Sequence, residues 1–405
     1  MAENGWLTKS EVNSLYYNTV AGEISFMTEA AVGGHPFAIA RLIEHQAADV
    51  GRRQVRILEI GANECGFARA LINEIGIARA NRRTEIERVD YLAVEYARPA
   101  LEAVAIWGEE YGYFDRVVRG PAGQPTPLGE PPPKPAMVAL AVIDDELNVN
   151  LGLVHAEANQ FARSNTEPFD FIILNELLDD MPCRAFFADA AGKRYEAVPV
   201  ARGGDEHWTM RVEARDPGGA ALDGIVPGTI TAHSPDWVDL VSGLAGSLRP
   251  GGMLLVHDYG FAEPFTALDK YASPQSMLPS FADVSYDELA GDDFPRSFFR
   301  VYGNEAKHVL QVTNDVNFAD LASALEGTGT VFSVPHGSAK ESSGTPVGKG
   351  DGLFLSEFGL LEPDDDLPML LARLQHDQAF IRDDYAREYT GGRGNVFLDL
   401  VYVRA

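Results

Sequence analysis

The stretch Val55–Arg69, with the sequence VRILEIGANECGFAR, decides the fold class. Its apolar run ends at Glu59 and Gly61, and apolar residues from Phe67 onward recur with helical spacing. The order is therefore strand, glycine turn, helix. Such a turn brings the backbone close to a nucleotide-like ligand and directs the N-terminus of the helix toward it.

A second strand that ends in an acid follows at Tyr91–Glu95, with the sequence YLAVE. A carboxylate at this point can accept hydrogen bonds from both ribose hydroxyls of a nucleoside. A dinucleotide and S-adenosylmethionine both fit these two elements, as does a plain α/β unit without a ligand. The turn lacks the GxGxxG pattern, and its Glu64 would repel a pyrophosphate. S-adenosylmethionine is cationic at sulfur and has no phosphate, so the acidic turn favours it.

S-adenosylmethionine is thus the predicted cofactor. Asn63 stands where a glycine would be usual, and asparagine can adopt the left-handed conformation that such a turn needs. The residues predicted to bind the cofactor are Glu59, Gly61, Asn63, Gly66, Glu95 and Asn175.

Composition restricts the partners and the compartment. The 405 residues include 60 acidic and 33 basic side chains, a net charge of −27, which disfavours nucleic acid and permits a basic partner. No apolar run reaches the roughly 18 residues of a membrane span, and the N-terminus MAENGWLTKSEV does not resemble a signal peptide. Cys65 and Cys183 are expected as free thiols, which indicates a cytoplasmic protein. The oligomeric state stays open, with a homodimer as one expectation.

The alternation of strands and helices predicts an α/β fold with a doubly wound, mostly parallel, Rossmann-like sheet and inserted α+β segments on the substrate side. Residues 119–135 are rich in proline and glycine and predict a loop. The predicted division is an N-terminal segment over the cofactor site (1–50), a cofactor-binding core (51–182), a β-rich insertion (183–232), more core (233–260), a substrate-side insertion (261–345) and C-terminal strands that complete the core (346–405).

Four motifs carry a resemblance to a known family. They are Asn175–Pro182 (NELLDDMP), Val256–Gly260 (VHDYG), Phe299–Gly303 (FRVYG) and Val312–Phe318 (VTNDVNF). In order and spacing they resemble the MidA-like family of S-adenosylmethionine-dependent methyltransferases, over residues 15–325. Mitochondrial members of that family are protein arginine methyltransferases needed for assembly of respiratory complex I. The resemblance implies methylation of a protein or peptide, at an arginine nitrogen.

The chain departs from the family pattern in three blocks. The usual G-P-G-x-G turn is changed, the T-A-H-V-D-F block has become TNDVNF, and an R-x-E-V-x-P block has become Thr229–Pro235 (TITAHSP). The last two losses fall on expected substrate positions. Two alternatives therefore stay open: a small-molecule N- or O-methyltransferase, and a non-catalytic binding or assembly factor on a methyltransferase scaffold.

The chemistry of methyl transfer suggests which residues act. The displacement is in line, so the nucleophile must be held close and aligned, and carboxylates can orient a guanidinium in a bidentate pair. Glu176 and Asp179 are the carboxylates at the end of the predicted fourth strand, where the alternative role is to cap a following helix. The predicted catalytic residues are Glu176, Asp179, Asn175 and Tyr259, and the predicted substrate-binding residues are Asp258, Tyr259, Arg300 and Asn314. The nine histidines show no spacing typical of a metal site, and none is predicted.

Overall fold

A ten-stranded sheet lies at the centre of the computed structural model. The structure describes residues 5–20, 35–101, 104, 114–117, 136–140, 147–203, 208–218, 225–261, 266–267, 283–284, 298–304, 308–335 and 396–405. Its helices are α1 (Lys9–Val20), α2 (His35–Asp49), α3 (Gly66–Ala80), α4 (Ala158–Ser164), α5 (Pro235–Gly246) and α6 (Phe318–Leu325). Its strands are β1 (Leu7–Thr8), β2 (Gln54–Ile60), β3 (Arg88–Glu95), β4 (Phe114–Val117), β5 (Ala136–Leu140), β6 (Asn148–His155), β7 (Phe169–Asn175), β8 (Arg184–Ala188), β9 (Arg194–Gly203), β10 (Trp208–Arg215), β11 (Thr229–His233), β12 (Leu248–Phe261), β13 (Thr266–Ala267), β14 (Asp283–Val284), β15 (Phe299–Asn304), β16 (Val309–Asn314), β17 (Val316–Asn317), β18 (Gly329–Pro335) and β19 (Val396–Arg404).

The central sheet has the strand order β18-β19-β12-β7-β2-β3-β6-β5-β4, and β17 also pairs with β12. The five middle strands, from β12 to β6, are parallel, and the strands at both edges are antiparallel. The predicted α/β fold with a mostly parallel centre is confirmed. The sequence order reverses between β2 and β7, and ligands of such sheets bind in the crevice outside the carboxyl ends of the strands at this reversal.

Both faces of the sheet are covered, because successive side chains of each strand point to opposite faces. Ile57 belongs to an apolar cluster with residues of α2 and α3. The adjacent Leu58 belongs to a second cluster with residues of α4, α5 and α6. Ser234 caps α5: its hydroxyl accepts from the Trp237 N–H at 3.4 Å, and Pro235 is the first helical residue.

A second, antiparallel sheet has the order β13-β11-β8-β9-β10-β14, with β1 also paired to β9. Its strands β8 to β11 lie in the segment predicted as the β-rich insertion, although β11 pairs with β8 and not with its sequence neighbour β10. Helix α6 and strand β18 belong to the central layers, because α6 packs on the sheet and β18 pairs with β19. The segment predicted as the 261–345 insertion thus includes elements of the central layers.

Some predictions fall outside the described residues. They include the proline-rich loop at 119–135 and residues 346–395 of the predicted C-terminal segment. Within the described ranges, no helix combines the length and apolar character needed to cross a membrane.

Gly260→Ala tests the junction between β12 and β17. A Cβ at Gly260 would overlap the carbonyl oxygen of Val316 and lie 2.8 Å from Phe318 Cδ2. We expect the substitution to lower the free energy of unfolding by about 2 kcal/mol or more, as overpacking of a filled core does. Urea denaturation followed by circular dichroism measures the change.

Gly246→Ala is the matched control, since nothing lies within 4 Å of a Cβ built at this helical glycine. It should leave stability unchanged or raise it by up to about 1 kcal/mol, through the better helix propensity of alanine. Equal stability of the Gly260 variant and the wild type would contradict the described close approach.

Candidate active site

A cavity of about 450 Å³ opens at the carboxyl ends of the parallel strands, a size typical of small-molecule sites. Its wall includes the turn after β2, the ends of β3 and β7, and residues of β12, β16 and α1. The predicted site residues that line it are Gly61, Asn63, Glu95, Asn175, Glu176, Asp179 and Tyr259. Those that do not are Glu59, Gly66, Asp258, Arg300 and Asn314.

The glycine turn adopts the left-handed backbone that the sequence requires. Gly61 has φ of 77° and Asn63 has φ of 46°, so asparagine takes this conformation as predicted. A Cβ at Gly61 would lie 2.9 Å from Leu177 Cδ1. The Gly61 N–H also donates to Val94 O at 2.8 Å. Glycine is therefore needed both for backbone conformation and for the close approach of the loop after β7.

Glu95 fixes this turn from the end of β3. Its carboxylate accepts from the Asn63 N–H at 2.7 Å and from the Ala97 N–H at 2.6 Å. Burial raises the pKa of Glu95, while the backbone hydrogen bonds act in the opposite direction. The side chain also lines the cavity. Glu95 thus connects the conformation of the turn to the ligand space beside it.

Glu59 does not line the cavity, and its predicted contact with the cofactor stays a prediction. It is buried and accepts from the Tyr91 hydroxyl at 2.8 Å. Burial raises the pKa of Glu59 to about 8. Asn175 is near enough to lower that pKa, yet its buried Nδ2 makes no hydrogen bond of good geometry. A buried donor without a partner in a cavity wall fits a polar ligand group.

Gly66, which the sequence predicts to bind the cofactor, does not line the cavity either. It is the first residue of α3 and lies outside the cavity wall. The preceding Cys65 has φ of 57° and belongs to the buried core. Burial raises the pKa of the Cys65 thiol well above its usual range. Neither residue contacts the ligand space, because the turn presents Gly61 and Asn63 to it.

Asp258 hydrogen-bonds the loop after β7 and lies outside the cavity wall, so its predicted role in substrate binding stays a prediction. It is fully buried, and its Oδ2 accepts from the Leu178 N–H at 2.8 Å and the Asp179 N–H at 3.2 Å. Its Oδ1 accepts from the Tyr259 N–H at 2.8 Å. Burial, followed by the charge of Glu176, raises its pKa. With both oxygens occupied by backbone donors, Asp258 is a positioning residue.

Asp179 is held in the wall by that loop. It is 3% exposed, and its Oδ1 is buried without a hydrogen bond. Burial first, and then the charges of Asp258 and Asp180, raise the pKa of Asp179 well above its usual range, while Lys9 opposes them. No helix follows β7 directly, since residues 176–183 form turns before β8. The alternative role of Glu176 and Asp179 as helix caps is therefore wrong.

Helix α1 supplies a face that sequence reasoning missed. Lys9 Nζ donates to the carbonyls of Asp179 and of Met181, the latter at 3.0 Å, and to Asn314 Oδ1. One turn on, Asn13 Nδ2 donates to Asp180 Oδ1 at 3.1 Å, and one turn further the Tyr17 hydroxyl donates to Asp180. The four-residue spacing of these polar side chains was visible in the sequence as one helix face.

Asp180 is the third aspartate of this region. Besides α1, Gln311 of β16 donates to both of its oxygens at 2.9 Å. Burial raises its pKa, and the Tyr17 hydroxyl and Lys9 lower it. Its carboxylate is thus well supplied with donors.

Arg300 and Asn314 are buried outside the cavity wall, and their predicted contact with substrate stays a prediction. Arg300 is 2% exposed, pairs with Asp315 at 2.6 Å and stacks on the Tyr259 ring at 4.3 Å. Asn314 is fully buried, accepts from Cys183 Sγ at 3.0 Å and donates to the Asp315 carbonyl at 3.0 Å. The departures in the TNDVNF block therefore fall on packed positions.

The cavity has one sign of charge. Its lining acids are Glu95, Glu157, Glu176, Asp179 and Asp180, and no lysine or arginine is among the lining residues in the described part of the chain. Such a wall favours cationic groups. No cluster of His, Cys, Asp and Glu suited to a metal ion occurs within the described ranges.

No protein-family model matches the chain, and no curated protein does. The chain does match solved structures. A native crystal structure of an uncharacterised protein from Burkholderia thailandensis is 15% identical, with 99% of this chain and 88% of that chain covered and a TM-score of 0.47. A likely methyl transferase of the same superfamily and organism, bound to S-adenosyl-homocysteine, is 14% identical, with coverage of 99% and 88% and a TM-score of 0.46.

Coclaurine N-methyltransferase bound to N-methylheliamine and S-adenosyl-homocysteine is a third similar structure. It is 10% identical, with 94% of this chain and 74% of that chain covered, and its TM-score is 0.35. All three TM-scores lie below 0.5, and each ligand and activity is a property of the neighbour that carries it.

Proposed function

We propose that this protein is an S-adenosylmethionine-dependent methyltransferase that acts on an arginine nitrogen of a protein or peptide. The observation that carries the proposal is the acidic cavity at the carboxyl ends of β2, β3 and β7, where the sequence order of the strands reverses. In chain order the parallel strands read third, second, first, fourth and fifth across the sheet, which supports a Rossmann-like methyltransferase sheet.

The residues present fit the cofactor. The left-handed turn at Gly61 and Asn63 leaves backbone exposed to the cavity, and Glu95 at the end of β3 can accept from ribose hydroxyls. The Asn175 side chain lines the cavity beside Glu59, and its amide can donate to a carboxylate. These four residues would hold the cofactor, and the surrounding carboxylates suit its positive charge.

The remaining wall suits the acceptor. Bound S-adenosylmethionine supplies an electrophilic methyl group on a sulfonium. Glu176 and Asp179 lie in the wall beside Asn175, and they would orient a guanidinium and localise its charge away from the attacking nitrogen. Tyr259, held by the Arg300 guanidinium on its ring, would pack against the same side chain.

Glu176 has a backbone conformation typical of a functional position. Its φ is 45°, a region that residues other than glycine rarely adopt, and its N–H donates to His257 O at 2.8 Å. The hydrogen bond to β12 keeps the strained residue in place. The carboxylate is therefore presented by a fixed backbone, as orientation of a nucleophile requires.

The cavity also bears on the non-catalytic alternative. A scaffold that has lost its chemistry is expected to have an occluded crevice or an apolar lining. The space here is about 450 Å³ and carries five acidic side chains. The crevice is therefore not occluded, and the acidic side chains in its wall support the catalytic proposal. We further propose membership of the MidA-like family and a cytoplasmic location, on the motifs and composition given above.

Glu95→Ala should weaken binding of S-adenosylhomocysteine by roughly 1–3 kcal/mol, because it removes the acceptor of two backbone N–H groups and of the ribose. Isothermal titration calorimetry measures the affinity. Glu85→Ala, at an exposed position before β3, should bind as the wild type does. If the wild type binds neither S-adenosylmethionine nor S-adenosylhomocysteine in the micromolar range, the cofactor assignment is wrong.

Glu176→Gln should reduce methyl transfer by about 100-fold, the scale of losing one electrostatic contact in the transition state. Affinity for S-adenosylhomocysteine should stay nearly unchanged. Transfer of radiolabelled methyl groups to arginine-containing peptides or a lysate of the source organism gives the rate. Glu326→Gln, on the exposed end of α6, is the control. Wild-type turnover of the Glu176 variant would remove this residue from the mechanism.

Mass spectrometry of the methylated product tests the acceptor atom. We expect a mass increase on an arginine guanidinium of a peptide or protein, because the acidic wall selects a cation. A methyl group on a small molecule, a carboxylate, a hydroxyl or a carbon would overturn the substrate assignment and leave the cofactor assignment intact.

A further inference from the structure

We infer that the Asp179 end of the cavity is a cation subsite that admits the guanidinium of the acceptor in exchange for a proton held by the Asp179 carboxyl. The inference rests on the proposed function for the choice of guanidinium. It concerns the equilibrium of binding, which can be measured without methyl transfer.

The hydrogen bonds around the three neighbouring aspartates differ. Asp258 accepts hydrogen bonds from three backbone N–H groups. Asp180 accepts hydrogen bonds from the side chains of Tyr17, Asn13 and Gln311. Donors of this kind stabilise an ionised carboxylate. Asp179 Oδ1 is buried and receives none. Among the three, Asp179 is therefore the carboxyl whose charged form has the least support.

The nearby ammonium does not supply the missing donor. A lysine has three N–H donors, and those of Lys9 bind the Asp179 carbonyl, the Met181 carbonyl and Asn314 Oδ1. All three acceptors are uncharged oxygens. Lys9 lowers the pKa of Asp179 through space, but this effect is outweighed by burial and by the adjacent acids. Without a ligand, a proton on Asp179 is the remaining way to neutralise it.

The acidic groups that face Asp179 also raise its pKa, and Lys9 opposes them. The electrostatic neighbours are Lys9 and Tyr17 on α1, Asp258 on β12, and Glu176 and Asp180 on its own loop. Strand β16 contributes uncharged polar side chains to this region, namely Gln311, Thr313 and Asn314. Of the charged groups, one is a cation and the rest are acids. The balance favours a neutral Asp179 until another cation arrives.

A cation in the cavity would reverse that balance. An opposite charge at hydrogen-bonding distance favours the ionised form of a carboxyl. The O–H bond of Asp179 then breaks, its proton goes to the buffer, and the guanidinium remains paired with the carboxylate. Charge is conserved, since one positive charge enters and one leaves.

The sign of the pH dependence follows. While the free subsite is protonated, each unit of rising pH should increase the affinity for the cation by up to about tenfold, one proton per cation. The affinity should level off once Asp179 is ionised in the free protein. Net proton release should fall to zero over the same range.

The test uses N-acetyl-arginine amide and its neutral isostere N-acetyl-citrulline amide with the full chain. Isothermal titration calorimetry at several pH values, in buffers of different ionisation enthalpy, gives the number of protons released at each pH. We expect net proton release for the arginine compound, and at least tenfold weaker binding of the citrulline compound. Arginine binding without proton release, or equal binding of the two compounds, would overturn the inference.

Variants of Asp179 test whether its carboxyl is the group that releases the proton. Asp179→Asn should abolish the release and flatten the pH profile, while Asp179→Glu should retain the release. Asp239→Asn, which removes an exposed carboxylate on α5, should behave as the wild type. The wild-type comparison of the two compounds stands by itself if the Asn variant does not fold. Release that persists in a folded Asp179→Asn variant assigns the proton elsewhere and contradicts the inference.

The outcomes separate this inference from the proposed function. Methyl transfer to arginine with no linked proton leaves the function standing and removes the exchange. Proton-linked binding of arginine amide without binding of S-adenosylhomocysteine leaves the subsite standing and removes the methyltransferase assignment.

Discussion

The site depends on one buried carboxylate, that of Asp258, which accepts three backbone N–H groups from two segments. The parallel strands β7 and β12 end side by side, so the loop after β7 runs directly over the end of β12. Asp258 joins the two at that point. The positions of Glu176, Asp179 and Tyr259 relative to each other are consequences of this connection. A residue with no access to the ligand space thus determines the geometry of those that have it.

The sheet and the turn could be predicted because their signals are local. An apolar run, an acid and a glycine specify where β2 ends, and the left-handed conformation of Asn63 follows from its side chain. The residues at the ends of parallel strands share one edge, so the sequence alone was enough to assign Glu95, Asn175 and Glu176 to one cavity. The parallel centre of the sheet required no more than the alternation of strands and helices.

The sequence could not show which motif residues line the cavity. Asp258 and Asn314 are packed although the adjacent Tyr259 and Thr313 line the cavity, because successive residues of a strand point to opposite sides and spacing along a motif does not show which side is packed. In the same block, Asp315 pairs with Arg300, and Asn317 caps α6. The role of Lys9 was missed because its partners lie 170 or more residues away. Contacts across such distances follow from the assembled fold and from no local pattern.

Helix α1, which forms one side of the cavity, is attached by different interactions from those that hold the central sheet together. Two side chains of α1, Val12 and Tyr16, are buried and apolar. The other described contacts of α1 with β16 and with the loop after β7 are hydrogen bonds of polar side chains. Water can replace such bonds at little net cost, whereas exposing apolar surface of the sheet core is expensive. Detachment of this helix therefore requires far less free energy than unfolding of the sheet. We therefore expect the amides of α1 to exchange with solvent before those of the central strands.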